Sequence, residues 1–171
     1  MCQPMGAMAT TRVPWDRLPG RHCSVAAALE LVGERWSLLV VRELLLRNRR
    51  FSQIAAATGA PRDVLTNRLR SLEAAGVIER RQYSAAPPRS EYHLTAAGRD
   101  LQPVVQALLH WGDRWAAESP PAQLRHHDHD LELSRVCRTC GEEIDQHDVS
   151  IEPLVEGWTR GERSTSGTTR T

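Results

Sequence analysis

The stretch APRDVLTNRLRSLEAAGVIERR, residues 60–81, combines the apolar spacing of a packed helix with five arginines. At about 100° per residue, its apolar side chains fall within one arc of about 140°. They are Val64, Leu65, Leu69, Leu72 and Ala75. The opposite side carries Arg62, Asp63, Thr66, Asn67 and Arg70. The spacing predicts an amphipathic helix over 61–75, whose polar side faces either solvent or a binding partner.

Three other residues of this stretch have predicted structural roles. Arg68 falls within the apolar arc, so we expect its stem to follow the core and its guanidinium to reach an acid such as Glu43. Asp63 suits the first turn, where a carboxylate complements the helix dipole. Gly76 is placed to end the helix.

Length and composition indicate one globular core with a modest appendage. The chain has 171 residues, of which 40% are hydrophobic and 25% are charged. No apolar run approaches the roughly 20 residues that cross a bilayer. The first 20 residues lack the apolar segment of a secretory signal. We therefore expect a cytoplasmic protein whose four cysteines are reduced or metal-bound.

The charge is unevenly distributed along the chain. Residues 35–99 contain 12 arginines and 5 acidic residues, a balance of +7. Residues 100–171 contain 7 arginines and 13 acidic residues, a balance of −6. A basic centre favours a polyanionic partner, although charge alone does not exclude a cluster of solvated arginines.

Helices and a hairpin surround the opening stretch. Upstream, the pattern predicts a helix ending at Gly33, an apolar core helix capped by Ser37, and a short helix capped by Ser52 and stopped by Gly59. Downstream, VIERRQY and SEYHLT have the spacing of strands. The SAAPPR segment between them contains two prolines, which predicts an extended tip rather than a tight two-residue turn.

Thr95 is expected to cap one long helix that carries an apolar stripe. Pro103 is either tolerated in its first turns or kinks it. No later core helix follows to cover the stripe, so a second copy of the chain is its expected partner. The residues predicted to mediate dimerisation are Leu101, Val104, Val105, Leu108, Trp111 and Trp115.

The order of these elements predicts a mainly α fold with a small β-hairpin (α+β), namely a winged helix-turn-helix. The helix over 61–75 would enter the major groove of DNA, and a wing over 84–90 would reach the backbone or minor groove. Arginine suits guanine edges and phosphates, asparagine suits adenine, and threonine suits a phosphate or a thymine methyl. The predicted DNA-binding residues are Arg62, Thr66, Asn67, Arg70, Arg80, Arg81 and Arg89.

The ends of the chain have a different character from its centre. Residues 1–20 are aperiodic and predicted to form a flexible arm, and residues 159–171 are predicted to be disordered. Between 119 and 158, Cys137-x-x-Cys140-Gly is half of a zinc-knuckle pattern, which His126 and His129 could complete. A remnant with free thiols is an alternative. A redox pair is disfavoured because no βαβ unit surrounds it.

About residues 22–118 together resemble the HxlR-type winged helix-turn-helix transcriptional regulators of bacteria. The resemblance rests on Cys23, Gly33 with Trp36, the RELL segment, Arg50-Phe51-Ser52, VLTNRLRSLEAAGVIERR, PPRSEYHLT, Gly98 and the final WG. It implies a homodimer that binds operator DNA, with dimerisation through the terminal helices. It also implies DNA contacts from the helix over 61–75 and from the wing around Arg89.

The resemblance also implies a hypothesis for Cys23, because several members of this family sense oxidants or electrophiles through a cysteine ahead of the first helix. A helix N-terminus and the neighbouring Arg21 and His22 would favour a thiolate. The alternative is a small, partly buried hydrophobic residue. The family usually has proline after this cysteine, whereas this chain has Ser24.

Two other classes of function were compared with a DNA-binding regulator. A winged helix used for protein contacts, with a structural zinc tail, would need no basic face. An enzyme is disfavoured because the chain has no GxSxG, Walker or HExxH motif and no convincing acid pair.

Overall fold

The computed structural model describes residues 10–18, 20–145, 147–155 and 158. The predicted disordered end, 159–171, lies outside the described residues, as does the start of the predicted arm, 1–9. The chain divides into two compact units, 1–117 and 118–171. Within the described ranges, no helix is long and apolar enough to span a membrane.

Four helices build the core of the first unit: α1 (Ser24–Val32), α2 (Arg35–Leu45), α3 (Phe51–Thr58) and α4 (Arg62–Ala74). Helix α2 is central in the core, as its apolar segment predicts, and it packs against α3 and α4. The predicted apolar arc of α4 is confirmed, since Leu65, Leu69 and Leu72 are buried. On α1 only Val32 is buried, whereas Val25 and Leu29 are 66% and 56% exposed.

Both predicted serine caps are wrong. Helix α2 begins two residues before Ser37, whose hydroxyl is buried without a hydrogen-bond partner among the described residues. Helix α3 begins before Ser52, at a capping box in which Gln53 Oε1 accepts from the backbone N–H of Arg50 at 3.0 Å. In each case the N-cap lies earlier in the chain than predicted. It is Glu34 for α2 and Arg50 for α3, and both have extended backbone.

The turn between α3 and α4 is fixed by Gly59 and Thr58. Gly59 has φ +69°, a left-handed conformation that a β-carbon disfavours. The Thr58 hydroxyl donates to the Ile54 carbonyl at 2.7 Å and accepts from the Ala60 N–H at 3.3 Å. Ala60 is buried, so this turn anchors the start of α4 to the core.

Strands β1 (Ile78–Ala85) and β2 (Pro88–Leu94) form the antiparallel wing. The prediction of an extended tip is wrong, since Ala85 pairs with Pro88 and only two residues turn the chain. The Ala86–Pro87 peptide between the two strands is cis. A bulge lies between Gln82 and Ser84.

The predicted single long helix is two helices, α5 (Ala96–Arg99) and α6 (Gln102–Trp115). Pro103 causes the break because it has no N–H for the Arg99 carbonyl, and its ring would collide with that carbonyl in a continuous helix. Thr95 caps α5 as predicted, its hydroxyl accepting from the Gly98 N–H at 3.2 Å.

Thr95 also connects this cap to the end of α4. Its hydroxyl donates to the Gly76 carbonyl at 2.6 Å, and its N–H donates to the Val77 carbonyl at 3.1 Å. A β-carbon at Gly98 would lie 2.2 Å from that same Val77 oxygen, so the close approach requires glycine.

Residues 10–18, which the sequence predicted to belong to a flexible arm over 1–20, are attached to the core by hydrogen bonds and by one buried side chain. The backbone N–H of Thr11 donates to the Ala75 carbonyl at 3.1 Å, and its hydroxyl donates to the Ala74 carbonyl at 3.0 Å. Leu18 is buried. Carbonyls at the end of α4 lack partners within the helix, and the Thr11 N–H and hydroxyl supply them.

Arg68 pairs with Glu34 and not with the predicted Glu43. Its guanidinium lies 3.6 Å from Glu34, and its stem is largely covered, as expected for its place in the apolar arc. The buried Glu43 instead accepts from Arg42 at 2.8 Å and from the Asn48 amide at 2.7 Å. These bonds hold the loop that follows α2.

Candidate nucleic-acid interface

The polar side of α4 is presented to solvent. Arg62, Asp63, Asn67 and Arg70 are exposed. Within the described part of the chain, the Asn67 and Arg70 side chains have no hydrogen-bond or ion-pair partner, so their donors are available. Thr66 differs, because its hydroxyl donates to the Arg62 carbonyl at 2.7 Å. That bond leaves the methyl group and an oxygen lone pair of Thr66 for a ligand.

A basic cleft of about 410 Å³ lies where α3, α4 and the wing meet. Arg50, Arg62 and Arg89 line it together with Phe51 and Tyr83. The two rings position two of the cations: Arg62 lies over Phe51 at 5.0 Å, and Arg50 lies over Tyr83 at 5.2 Å. Three guanidiniums around one concave surface supply the charge and the hydrogen-bond donors that an anion such as phosphate requires.

Arg50 was not among the predicted DNA-binding residues. It is held by its contact with Tyr83 and by an ion pair with Glu91 at 3.3 Å. The sequence signal that could have found it is the RNRR run directly before α3, since the N-terminus of a helix also favours anions.

Arg80 and Arg81 occupy opposite faces of the wing, although the sequence suggested the same role for both. Residues directly opposite in an antiparallel pair share a face, and successive residues alternate. Arg80 is opposite Tyr92, whose pKa is raised mainly by burial while Arg80 and Arg70 oppose that rise. Arg80 therefore lies on the α4 side of the wing. Arg81 is opposite Glu91 and pairs with Glu79 on the other side.

This arrangement, an exposed polar helix braced by a glycine turn and flanked by a basic wing, is that of a winged helix-turn-helix. Residues 31–120 match the model of a family described as HxlR-like helix-turn-helix. The chain belongs to this HxlR family. The resemblance drawn from the sequence is thereby confirmed, and so is the expectation of a regulator rather than an enzyme.

Relatives and solved structures agree with this membership. The chain is 47% identical over 135 residues to an HTH-type transcriptional regulator of Mycobacterium tuberculosis that has not been characterised, covering 76% of this chain and 85% of the relative. It is similar to the structure of PA1607, proposed to be a transcription factor, with a TM-score of 0.68 and 27% identity over 76% of this chain and 94% of the other.

A third likeness is to the redox regulator HypR in its oxidized form. The TM-score is 0.52 and the identity 31%, covering 56% of this chain and 99% of HypR. Together the family match and these likenesses identify a transcriptional regulator of the winged helix-turn-helix type, a class that binds DNA.

The predicted dimerisation stripe separates into two groups on α6. Leu101 and Val105 are partly buried against the core of their own chain, so they are not free for a partner. The side chains of the other group are 44–66% exposed. They are Val104, Leu108, Trp111 and Trp115.

Cys23 is the N-cap residue of α1. Hydrogen bonding by the backbone N–H groups of Ala26 and Val25 lowers the pKa of its thiol, and Arg21 lowers it further. Cys23 is a free, partly exposed thiol. The geometry thus provides the thiolate-favouring environment that the sequence suggested.

In the second unit, the predicted zinc ligands form two separate pairs. His126 and His129 lie in a small hairpin of β3 (Arg125–His126) and β4 (His129–Asp130), with ring centroids 5.4 Å apart. Cys137 and Cys140 lie in a tight loop, where backbone N–H groups of Cys140 and Thr139 lower the pKa of Cys137 to about 7. Among the described residues, no three potential ligands come together, and the zinc site stays a prediction.

Proposed function

We propose that this HxlR-family regulator binds operator DNA as a homodimer, with α4 in the major groove and the wing on the backbone or adjacent minor groove. The observation that carries the proposal is the exposed polar face of α4, which continues into the cleft of Arg50, Arg62 and Arg89. Such a cleft suits phosphates, while Asn67 and Arg70 suit base edges. Arg80, on the α4 side of the wing, suits a phosphate.

Selection of bound fragments from genomic DNA, followed by a salt titration on the selected sequence, tests this proposal. If the three cleft arginines of each protomer contact phosphates, six contacts predict a slope of log Kobs against log salt of about −5. Enriched sequences should contain two half-sites spaced by about one helical turn, 10–10.5 base pairs, or a multiple of it. No enrichment and a flat salt dependence would favour a winged helix used for protein contacts instead.

The proposed homodimer would form through the terminal helices α1 and α6. The proposal is supported by the exposed apolar side chains of α6 and by the exposed Val25 and Leu29 of α1. Two-fold pairing of such helices would cover it and would set two copies of α4 on one face of the DNA.

A redox input through Cys23 is a further part of the proposal. It is supported by the lowered pKa of the thiol and by the likeness to HypR, a redox regulator. Oxidant treatment should change operator affinity of the wild type and not of Cys23→Ser. The control is Cys140→Ser, which should respond as the wild type does. Identical responses of wild type and Cys23→Ser would contradict this part.

A zinc ion held by Cys137 and Cys140 remains a separate proposal for the second unit, supported by the knuckle-like loop and the lowered pKa of Cys137. His126 and His129 would complete the site only if their hairpin approached that loop. Metal analysis of gently purified protein should find near-stoichiometric zinc, and only trace zinc would contradict it.

A further inference from the structure

A second cluster of arginines lies on the face of the wing that is turned away from α4. It surrounds a cleft of about 370 Å³ formed by the end of α2, strand β2 and helices α5 and α6. The cationic side chains that line it are Arg47, Arg49, Arg81 and Arg99. This volume lies within the range of small-molecule sites.

The cleft has an excess of positive charge. Glu79 pairs with Arg81, and Arg99 donates to the Leu94 carbonyl at 2.9 Å. Within the described ranges, no carboxylate lies in ion-pair range of Arg47, Arg49 or Arg99. Three of the four guanidiniums therefore have no ion-pair partner among the described residues, and the Glu91 carboxylate, which pairs with Arg50, lies 3.8 Å from His93.

His93 also lines the cleft, and its pKa reflects the same excess of positive charge. Its pKa is lowered first by burial and then by the charges of Arg49 and Arg81, which outweigh the opposing effects of Glu91 and Glu79. A neutral imidazole can donate one hydrogen bond and accept another, so it leaves the arginines as the charged groups of the site.

Three leucines supply an apolar part of the lining, which is otherwise mainly polar. Leu44 is buried, and Leu45 and Leu94 are partly buried. A fully hydrated inorganic anion would gain nothing from these leucines, whereas a hydrocarbon group would bury its surface against them.

The cleft opens on the side of the wing away from α4. Arg81 and His93 share the wing face opposite the one on which Arg80 and Tyr92 lie. Arg99 and Gln102, from α5 and α6, line the cleft on this side. The cleft adjoins the proposed DNA surface at one end, where Arg47 and Arg49 line a further cavity together with Arg50. Phosphates bound along α4 would lie on the other side of the wing from Arg81 and His93.

We propose that this cleft binds a small organic carboxylate, with the arginines holding the carboxylate and the three leucines covering its apolar body. Arginine forks bind carboxylates through two parallel hydrogen bonds, which gives orientation as well as charge. The ligand would contact the wing, the end of α2 and α5 together. The proposal does not depend on operator binding.

Calorimetric titration of the full chain at constant ionic strength tests it with three probes. Benzoate supplies both carboxylate and ring, benzyl alcohol supplies the ring alone, and inorganic phosphate supplies charge alone. Benzoate should bind in the millimolar range or better, and the other two should bind at least about tenfold more weakly. Absent benzoate binding, or phosphate binding as tight as benzoate, would overturn the proposal.

Arginine variants test whether benzoate binds in this cleft. Arg49→Gln combined with Arg81→Gln should weaken benzoate by about tenfold or more, because two charge-assisted contacts are lost. Arg81→Lys keeps the positive charge but loses the two-pronged hydrogen bonding of the guanidinium, so its benzoate affinity should lie between those of the wild type and the double variant. Arg125→Gln combined with Arg135→Gln removes two positive charges from the second unit, is the matched control and should bind as the wild type does. Equal benzoate affinity in all variants would overturn the assignment.

One more measurement separates this cleft from the DNA surface. Affinity for random-sequence DNA should fall in Arg62→Ala and should be nearly unchanged in the Arg49→Gln, Arg81→Gln variant. If the double variant loses DNA affinity as steeply as Arg62→Ala, the cluster is a phosphate-binding surface and the carboxylate site is refuted. Thermal melting of each variant confirms that it is folded before any binding result is interpreted.

Discussion

Replacement of Asn67 and Arg70 by alanine should abolish the preference for the operator while leaving most of the affinity for random DNA. Both side chains are exposed on α4 and have no hydrogen-bond or ion-pair partner among the residues that the structure describes, so truncation removes donors and should leave the fold intact. A good bidentate base contact is worth about 1–3 kcal/mol of discrimination, so the pair should cost about a hundredfold or more in operator affinity. Fluorescence anisotropy with labelled operator and a scrambled duplex measures both affinities.

The control for this experiment is Arg135→Ala, which removes a positive charge from the second unit and should lower neither affinity appreciably. Equal losses on the operator and the scrambled duplex would mean that Asn67 and Arg70 contact phosphates and do not read bases. An unchanged preference would refute the assignment of α4 as the recognition helix.

The second large effect is expected at α6, where Leu108→Glu with Trp111→Glu should convert the dimer to a monomer. Both side chains lie in the exposed apolar stripe, 49% and 59% exposed, so the monomer should tolerate the change. In a dimer the two carboxylates would be buried without partners, which weakens association by about a hundredfold or more. Light scattering after size exclusion should give 19.2 kDa for the variant and twice that for the wild type.

His110→Glu is the matched control, because His110 is exposed on a different side of α6 from the stripe. It should remain dimeric. A wild type that is already monomeric at micromolar concentration, or a double variant that remains dimeric, would contradict dimerisation through this stripe. Operator affinity should fall with the loss of the dimer, because each monomer reaches only one half-site.

Hydrophobic periodicity predicted the helices of the core because burial decides where they form. The arc of Leu65, Leu69 and Leu72 faces inward as the spacing requires, and the polar face of α4 follows from it. The wing was predicted from alternation in the same way. The order of elements then sufficed for the winged helix-turn-helix and, with the quoted motifs, for the HxlR family.

Features that depend on single hydrogen bonds or on distant partners were not predictable from the same patterns. The start of α3 depends on Gln53 reaching the Arg50 N–H, and no periodicity reports that bond. The partner of Arg68 is Glu34 because of how α4 meets the start of α2. Leu101 and Val105 belong to the same predicted stripe as the exposed residues of α6, and the spacing alone does not show that these two pack against the core of their own chain.

The separation of Arg80 from Arg81 has the same origin. Adjacent arginines in a sequence share a charge but, on a strand, not a face, so the register decides which of them meets α4. The sequence predicted a basic wing. It could not divide the arginines of that wing between two different clefts.

The bonds of Thr95 have a consequence for the length of the operator. One hydroxyl caps α5 and also holds the carbonyl that follows α4, and the glycine at 98 lets the two backbones touch. In the proposed dimer, the end of the recognition helix is therefore fixed to α5, the element that leads directly into the pairing helix α6. The distance between the two half-sites that the dimer can bind would then depend on this connection as well as on the residues that contact bases.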